Sequence, residues 1–221
     1  MFLLFVLFVV LGSTKWLAPY ITPFIDSYGK YIRIFILVLA FASLGLVIDP
    51  NFVNIKETGE WALELLWILL FIPILAKVFN QSLAKKFIPW RKEIGILMGM
   101  IALTHGLQYF AFGGIIQSIS NEMFWIKNLN MPFFVSGLIA LVISTVLLVT
   151  SNLYSQKKLK KYWKHLHRFV YPLLVIVLVH VIFIKALKSG QADWAELAPI
   201  VPYFIFKVLE WKNISFFAPK K

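Results

Sequence analysis

Residues 163–183 read WKHLHRFVYPLLVIVLVHVIF. From Phe169 to Leu187 the chain is hydrocarbon in character, with no alternation of polar and apolar residues. A run of that kind crosses a bilayer as a helix, because backbone groups in lipid must be satisfied within the segment. Yet His165, His167 and His180 stand in or beside it. An ionisable side chain at bilayer depth is expensive and marks a functional site. The question is what these histidines are for.

The rest of the chain has the same character. Of 221 residues 60% are hydrophobic and 14% charged, and the mean hydropathy is +0.81, far too apolar for a water-soluble domain of this length. The expected fold is all-α, a polytopic transmembrane bundle. Six spans are expected: Tyr31 to Ile48, Trp61 to Val78, Ile94 to Gly113, Pro132 to Thr150, Phe169 to Leu187 and Trp194 to Leu209. Short connections leave no room for a soluble domain, so a nucleotide or large polar substrate falls to a partner. The absence of cysteine excludes disulfides, thiolate metal sites and cysteine nucleophiles. Redox chemistry, if present, has to use histidine and a bound cofactor.

The net charge of +12 does not point to nucleic acid, because the basic residues sit between the apolar runs. Lys77 to Glu93 holds Lys77, Lys85, Lys86, Arg91 and Lys92 against one acid, and Ser151 to Arg168 holds Lys157, Lys158, Lys160, Lys161, Lys164 and Arg168 against none. The loop Asp49 to Glu60, by contrast, has one lysine among three acids. The basic loops belong on the cytoplasmic side of a bacterial inner membrane.

Residues 1–30 form an apolar start of ambiguous topology. Its apolar core is short for a span and Pro19 and Pro23 interrupt it, so it reads as an extra short or re-entrant membrane segment, with a seventh helix as the equal alternative. Residues 31–210 form the membrane domain and 211–221 a short basic cytoplasmic tail. No internal repeat is visible.

The fourth histidine, His105, lies in the third span. From Ile94 to His105 and from Phe169 to His180 is eleven residues each, or about 16 Å of helix. Both spans run outward from a basic loop, so the two histidines sit at matching depth. Two neutral imidazoles facing each other in a bundle core are the arrangement that ligates a b-type haem axially. An interhelical hydrogen bond explains a single intramembrane histidine equally well. A proton relay and a histidine-only zinc or copper site are further readings, the last lacking a carboxylate or third deep histidine to complete it. His165 and His167 lie at the cytoplasmic mouth, where His165 belongs with the solvated basic face. His167 and His180 are thirteen residues apart, so they share no face of a straight helix unless a kink at Pro172 realigns them. Trp90, Tyr162 and Trp163 stand near the same mouth, where aromatics ordinarily serve as interfacial anchors.

The pieces TGEWALELL at 58–66, RKEIGILMGMIALTH at 91–105, MPFFVSGLIALVIS at 131–144 and KYWKHLHRFVYPLLVIVLVH at 161–180 resemble the ferric-reductase-like transmembrane family. Within it they resemble the MsrQ (YedZ) family, haem-binding membrane subunits of protein-methionine-sulfoxide reductase systems. The resemblance implies one haem b on the outer side, ligated by His105 and His180. It places His167 at an inner level, with Arg91 where a second inner histidine would stand. It also implies an associated FMN, a separate cytoplasmic flavin reductase as donor, and a periplasmic molybdenum-dependent methionine-sulfoxide reductase subunit as acceptor. The chain would then be an electron-transfer subunit rather than a complete enzyme. A ferric reductase or quinone-linked cytochrome b is the near alternative. A non-redox transporter or assembly factor is the alternative of another class.

Overall fold

The computed structural model describes residues 14–47, 54–78, 85–112, 130–187, 197–212 and 214. Every regular element among the described residues is helical. In chain order these are α1 (Thr14–Ala42), a 3-10 turn (Ser43–Val47), α2 (Ile55–Val78), a 3-10 turn (Ile88–Trp90), α3 (Arg91–Phe112), α4 (Pro132–Val149), α5 (Leu153–Leu159), α6 (Lys161–His167), α7 (Val170–Leu187) and α8 (Ile200–Trp211).

The stretches Pro19–Gly45, Ile55–Val78, Pro132–Val149 and Lys161–Ala186 are long and apolar enough to cross a bilayer, making this a multi-pass membrane protein. Helix α3, with 22 residues, is about 33 Å long, although Thr104, His105 and Gln108 dilute its apolar character. Helix α8 has only 12 residues, about 18 Å. The start of the expected sixth span, at Trp194, lies outside the described residues, so the helix seen there is shorter than expected.

In the apolar start, the interruption expected at the two prolines is not seen. Helix α1 runs unbroken through residue 30, with Pro19 and Pro23 inside it. Prolines are tolerated in membrane helices because neighbouring groups re-satisfy the freed carbonyls. Residues 1–13, the greater part of the apolar core read there, lie outside the described residues.

Two compact units make up the chain, one of Met1–Val38, Glu64–Gly95 and Trp194–Lys221, the other of Leu39–Leu63 and Ile96–Asp193. In the first, α2 supplies the core: Leu66, Trp67, Leu70, Phe71, Ile74 and Leu75 are buried. Trp67 and Phe71 lie one turn apart with ring centroids 6.0 Å apart, and Tyr203 of α8 completes the cluster at 5.7 and 5.6 Å. Charged pairs fringe this unit. Arg33 donates to Glu93 at 2.6 Å, Lys86 pairs with Asp26, and Glu210 accepts from Lys207 at 2.7 Å and from Lys77 at 3.4 Å.

In the second unit α4 and α7 pack along their lengths. Their outward faces carry Ile139, Val142, Val146, Val175, Val179 and Ile182, all exposed, as suits a surface turned to lipid. Helix α3 approaches α4 closely at two glycines seven residues apart. A Cβ on Gly99 would stand 3.0 Å from Leu148 Cβ, and one on Gly106 would stand 2.7 Å from a methyl of Leu141. Small residues at such seams let membrane helices approach closely, where dispersion contacts replace the missing hydrophobic drive.

Candidate functional site

His105 and His180 both belong to the second unit, on α3 and α7. Each is tied to the first turn of a neighbouring helix. Nδ1 of His105 lies 2.8 Å from the carbonyl oxygen of Ile55, the first residue of α2. Nδ1 of His180 lies 2.6 Å from that of Phe133, the second residue of α4. A carbonyl can only accept, so in each neutral ring Nδ1 carries the proton and Nε2 keeps its lone pair. Among the described residues neither Nε2 enters a hydrogen bond.

A glycine one turn beyond each of these carbonyls receives the ring. A Cβ on Gly59 would stand 2.9 Å from Cε1 of His105, and one on Gly137 would stand 2.8 Å from Cε1 of His180. The residue before each glycine is a hydroxyl that bonds back into its own turn. Thr58 donates to Ile55 O at 2.8 Å, and Ser136 to Pro132 O at 2.7 Å. The sequences around the two grips align as TGEWAL at 58–63 and SGLIAL at 136–141. Three of the six positions are identical.

The two grips are not identical. Thr58 is fully buried, as is Gln108. The Thr58 hydroxyl lies 2.9 Å from Gln108 Oε1 and 3.3 Å from Nδ1 of His105. The bonds of Ser136 stay within its own helix.

The other histidines are placed differently. His165 is exposed. His167 ends α6, and a turn at Arg168 and Phe169 separates it from α7. His167 and His180 therefore lie on two helices, and Pro172 falls in the first turn of α7, where proline is tolerated. Nε2 of His167 lies 3.2 Å from the Thr150 hydroxyl. Arg91 opens α3 and belongs to the first unit.

Chemically, the pair is suited to iron in a porphyrin. Metal-ligating histidines donate their second ring N–H to a carbonyl or carboxylate, which fixes the tautomer and raises ligand basicity. Both imidazoles do so. No group of three or more His, Cys, Asp or Glu able to hold a metal occurs among the described residues. Two imidazoles alone suit a metal whose remaining ligands come from a macrocycle, rather than a tetrahedral zinc site.

Residues 58–179 match the family described as ferric reductase like transmembrane component. The chain belongs to this family. The region shared with other ferric-reductase-like chains includes Thr58, Gly59, His105, Gly137 and His167, and stops one residue before His180. Over 133 residues, 59% of its length, the chain is 32% identical to the protein-methionine-sulfoxide reductase heme-binding subunit MsrQ of Agrobacterium fabrum, and the match covers 57% of that protein. Over 160 residues, 72% of its length, it is 29% identical to the subunit of the same name from Brucella anthropi, covering 69% of it. The chain thus spans little more than half of the first relative. No solved structure matches it.

Gly59, Gly137, Thr58 and Gln108 were not singled out by sequence reasoning. The available signal was the pair of hydroxyl-glycine dipeptides near the starts of α2 and α4.

Proposed function

We propose that the protein is a transmembrane electron carrier that holds one b-type haem between His105 and His180. The observation that carries this reading is the matched pair of Nδ1–carbonyl bonds, which leaves both Nε2 atoms as ligands. When bound, the haem supplies a one-electron iron couple in a medium of low dielectric. The chain's residues hold it, orient it and exclude water. Ile55 and Phe133 fix the ring tautomers through backbone atoms that no side-chain substitution removes.

The site lies toward the ends of α2 and α4 opposite the basic loops. With those loops cytoplasmic, the ligands would lie toward the periplasm. Electrons would enter from reduced flavin at the cytoplasmic face, where the lysine-rich loops attract an anionic flavin phosphate or an acidic partner. The donor is a cytoplasmic flavin reductase, with FMN as an associated cofactor. The acceptor is a periplasmic methionine-sulfoxide reductase subunit, as the names of the two relatives suggest, and the task is repair of oxidised methionine in envelope proteins.

The protein purified in detergent should show a low-spin, six-coordinate b-type absorption spectrum. His105→Ala and His180→Ala should each abolish it. Retention of a six-coordinate spectrum by either variant would show the pairing to be wrong. Co-purification with a periplasmic reductase tests the acceptor separately.

A further inference from the structure

Two separate helix starts grip the two imidazoles by the same local device. A first-turn carbonyl takes the Nδ1 proton, and the glycine next along that helix face takes the ring edge. The distances from the positions of the missing Cβ atoms to the rings, 2.9 and 2.8 Å, are nearly equal. Contacts that close are essentially never made by a real Cβ, so an alanine at either position forces the ring away from its carbonyl. Gly106, the neighbour of His105 in sequence, is crowded only by methyls of Leu141, which can rotate aside. Crowding at Gly59 and Gly137 falls instead on rings held at Nδ1.

The hydroxyl preceding each glycine distinguishes the two sides. On the His105 side the one Thr58 proton is shared between Ile55 O and Gln108 Oε1, 2.8 and 2.9 Å away, and the hydroxyl oxygen lies 3.3 Å from Nδ1–H with a lone pair left to accept. His105 thus has a second acceptor beside its carbonyl. Ser136, bonded to Pro132 and Phe133, makes no such contact with His180 among the described residues.

Resting on the haem reading, we propose that Gly59 and Gly137 are a matched pair of positioning residues that set the orientation of the two axial histidines, and that Thr58 tunes the electron affinity of the site from the His105 side alone. Acceptors on Nδ1–H make an imidazole more basic and favour the ferric state. Withdrawing the Thr58 oxygen therefore raises the midpoint potential.

The test uses the full chain purified with haem, reading the low-spin electron paramagnetic resonance signal, haem content and midpoint potential. Gly59→Ala and Gly137→Ala should each shift the signal and lower haem content, while Gly45→Ala, with nothing within 4 Å of its added Cβ, should leave all three unchanged. Thr58→Val should raise the midpoint potential with haem content retained, and Ser136→Ala should not move it. Wild-type signals in both glycine variants, or equal shifts in Thr58→Val and Ser136→Ala, overturn the inference while leaving the haem assignment intact. If a glycine variant does not fold, the near-isosteric Thr58→Val and Ser136→Ala pair decides. Absence of haem from the wild type, or its six-coordinate retention in His105→Ala, instead overturns the reading beneath.

Discussion

The indole of Trp163 lies against the imidazole of His167, with ring centroids 4.1 Å apart and planes 29° from parallel. Both end on Thr150, the C-cap of α4. Trp163 Nε1 donates to its carbonyl at 2.9 Å, and His167 Nε2 lies 3.2 Å from its hydroxyl. The last carbonyls of a helix need partners, and here the Trp163 indole of α6 provides one while His167 holds the neighbouring hydroxyl. His167 therefore fastens α6 to the end of α4. His167→Ala should retain most of the haem and lose about 1 kcal/mol of stability, typical of one hydrogen bond. Absorbance at the haem band beside a thermal melt checks both, and complete loss of haem would place the cofactor at the inner level.

The Arg33–Glu93 pair makes an asymmetric prediction. Glu93 is 5% exposed while Arg33 is 41% exposed. Removing the arginine leaves a buried carboxylate without its countercharge, whereas removing the carboxylate leaves a cation that water can reach. Arg33→Met should destabilise by about 2 kcal/mol and Glu93→Gln by less than about 1 kcal/mol. The double variant should recover part of the loss. Equal losses in the two single variants would contradict the burial argument.

Lys160 joins α5 to α6 with φ at 49° and ψ at −121°, a conformation that a Cβ disfavours. Lys160→Gly should therefore raise stability by about 1 kcal/mol, readable as a higher unfolding temperature. An alanine there should bring no such gain.

The α3–α4 seam separates two glycines that look alike in sequence. Gly99 faces the Cβ of Leu148, which is fixed to its backbone, while Gly106 faces mobile methyls. Gly99→Ala should lower thermal stability clearly more than Gly106→Ala, with haem content followed alongside. The reverse order would mean that α4 shifts as a whole.

Much of this architecture is legible in the sequence because lipid imposes simple rules. Apolar length placed the spans at Pro132 and Phe169 nearly where α4 and α7 lie. Counting residues from the span starts was enough to bring His105 and His180 to one unit. The proline rule failed at Pro19 and Pro23, since it was framed for helices in water and α1 continues through both. The grips on the histidines were illegible for a different reason. Their acceptors are the main-chain oxygens of Ile55 and Phe133, and a backbone atom leaves no mark in a sequence. Only the two glycines, needed for space, record that a ring passes there. The latch of His167 on Thr150 was hidden similarly, because the turn at Arg168 and Phe169 between α6 and α7 carries no glycine or proline of its own.

The Ile55–His105 grip joins α2 to α3, helices adjacent in the chain, whereas the Phe133–His180 grip joins α4 to α7 across the lysine-rich α5 and α6. During synthesis the first grip can close as soon as α3 has left the ribosome and entered the bilayer. The second must wait until α7 has been threaded in the opposite direction to α4. A nascent chain halted before α7 would therefore carry a single oriented imidazole and no mate for it, so on the proposed haem reading capture of the cofactor would be a late checkpoint in biogenesis.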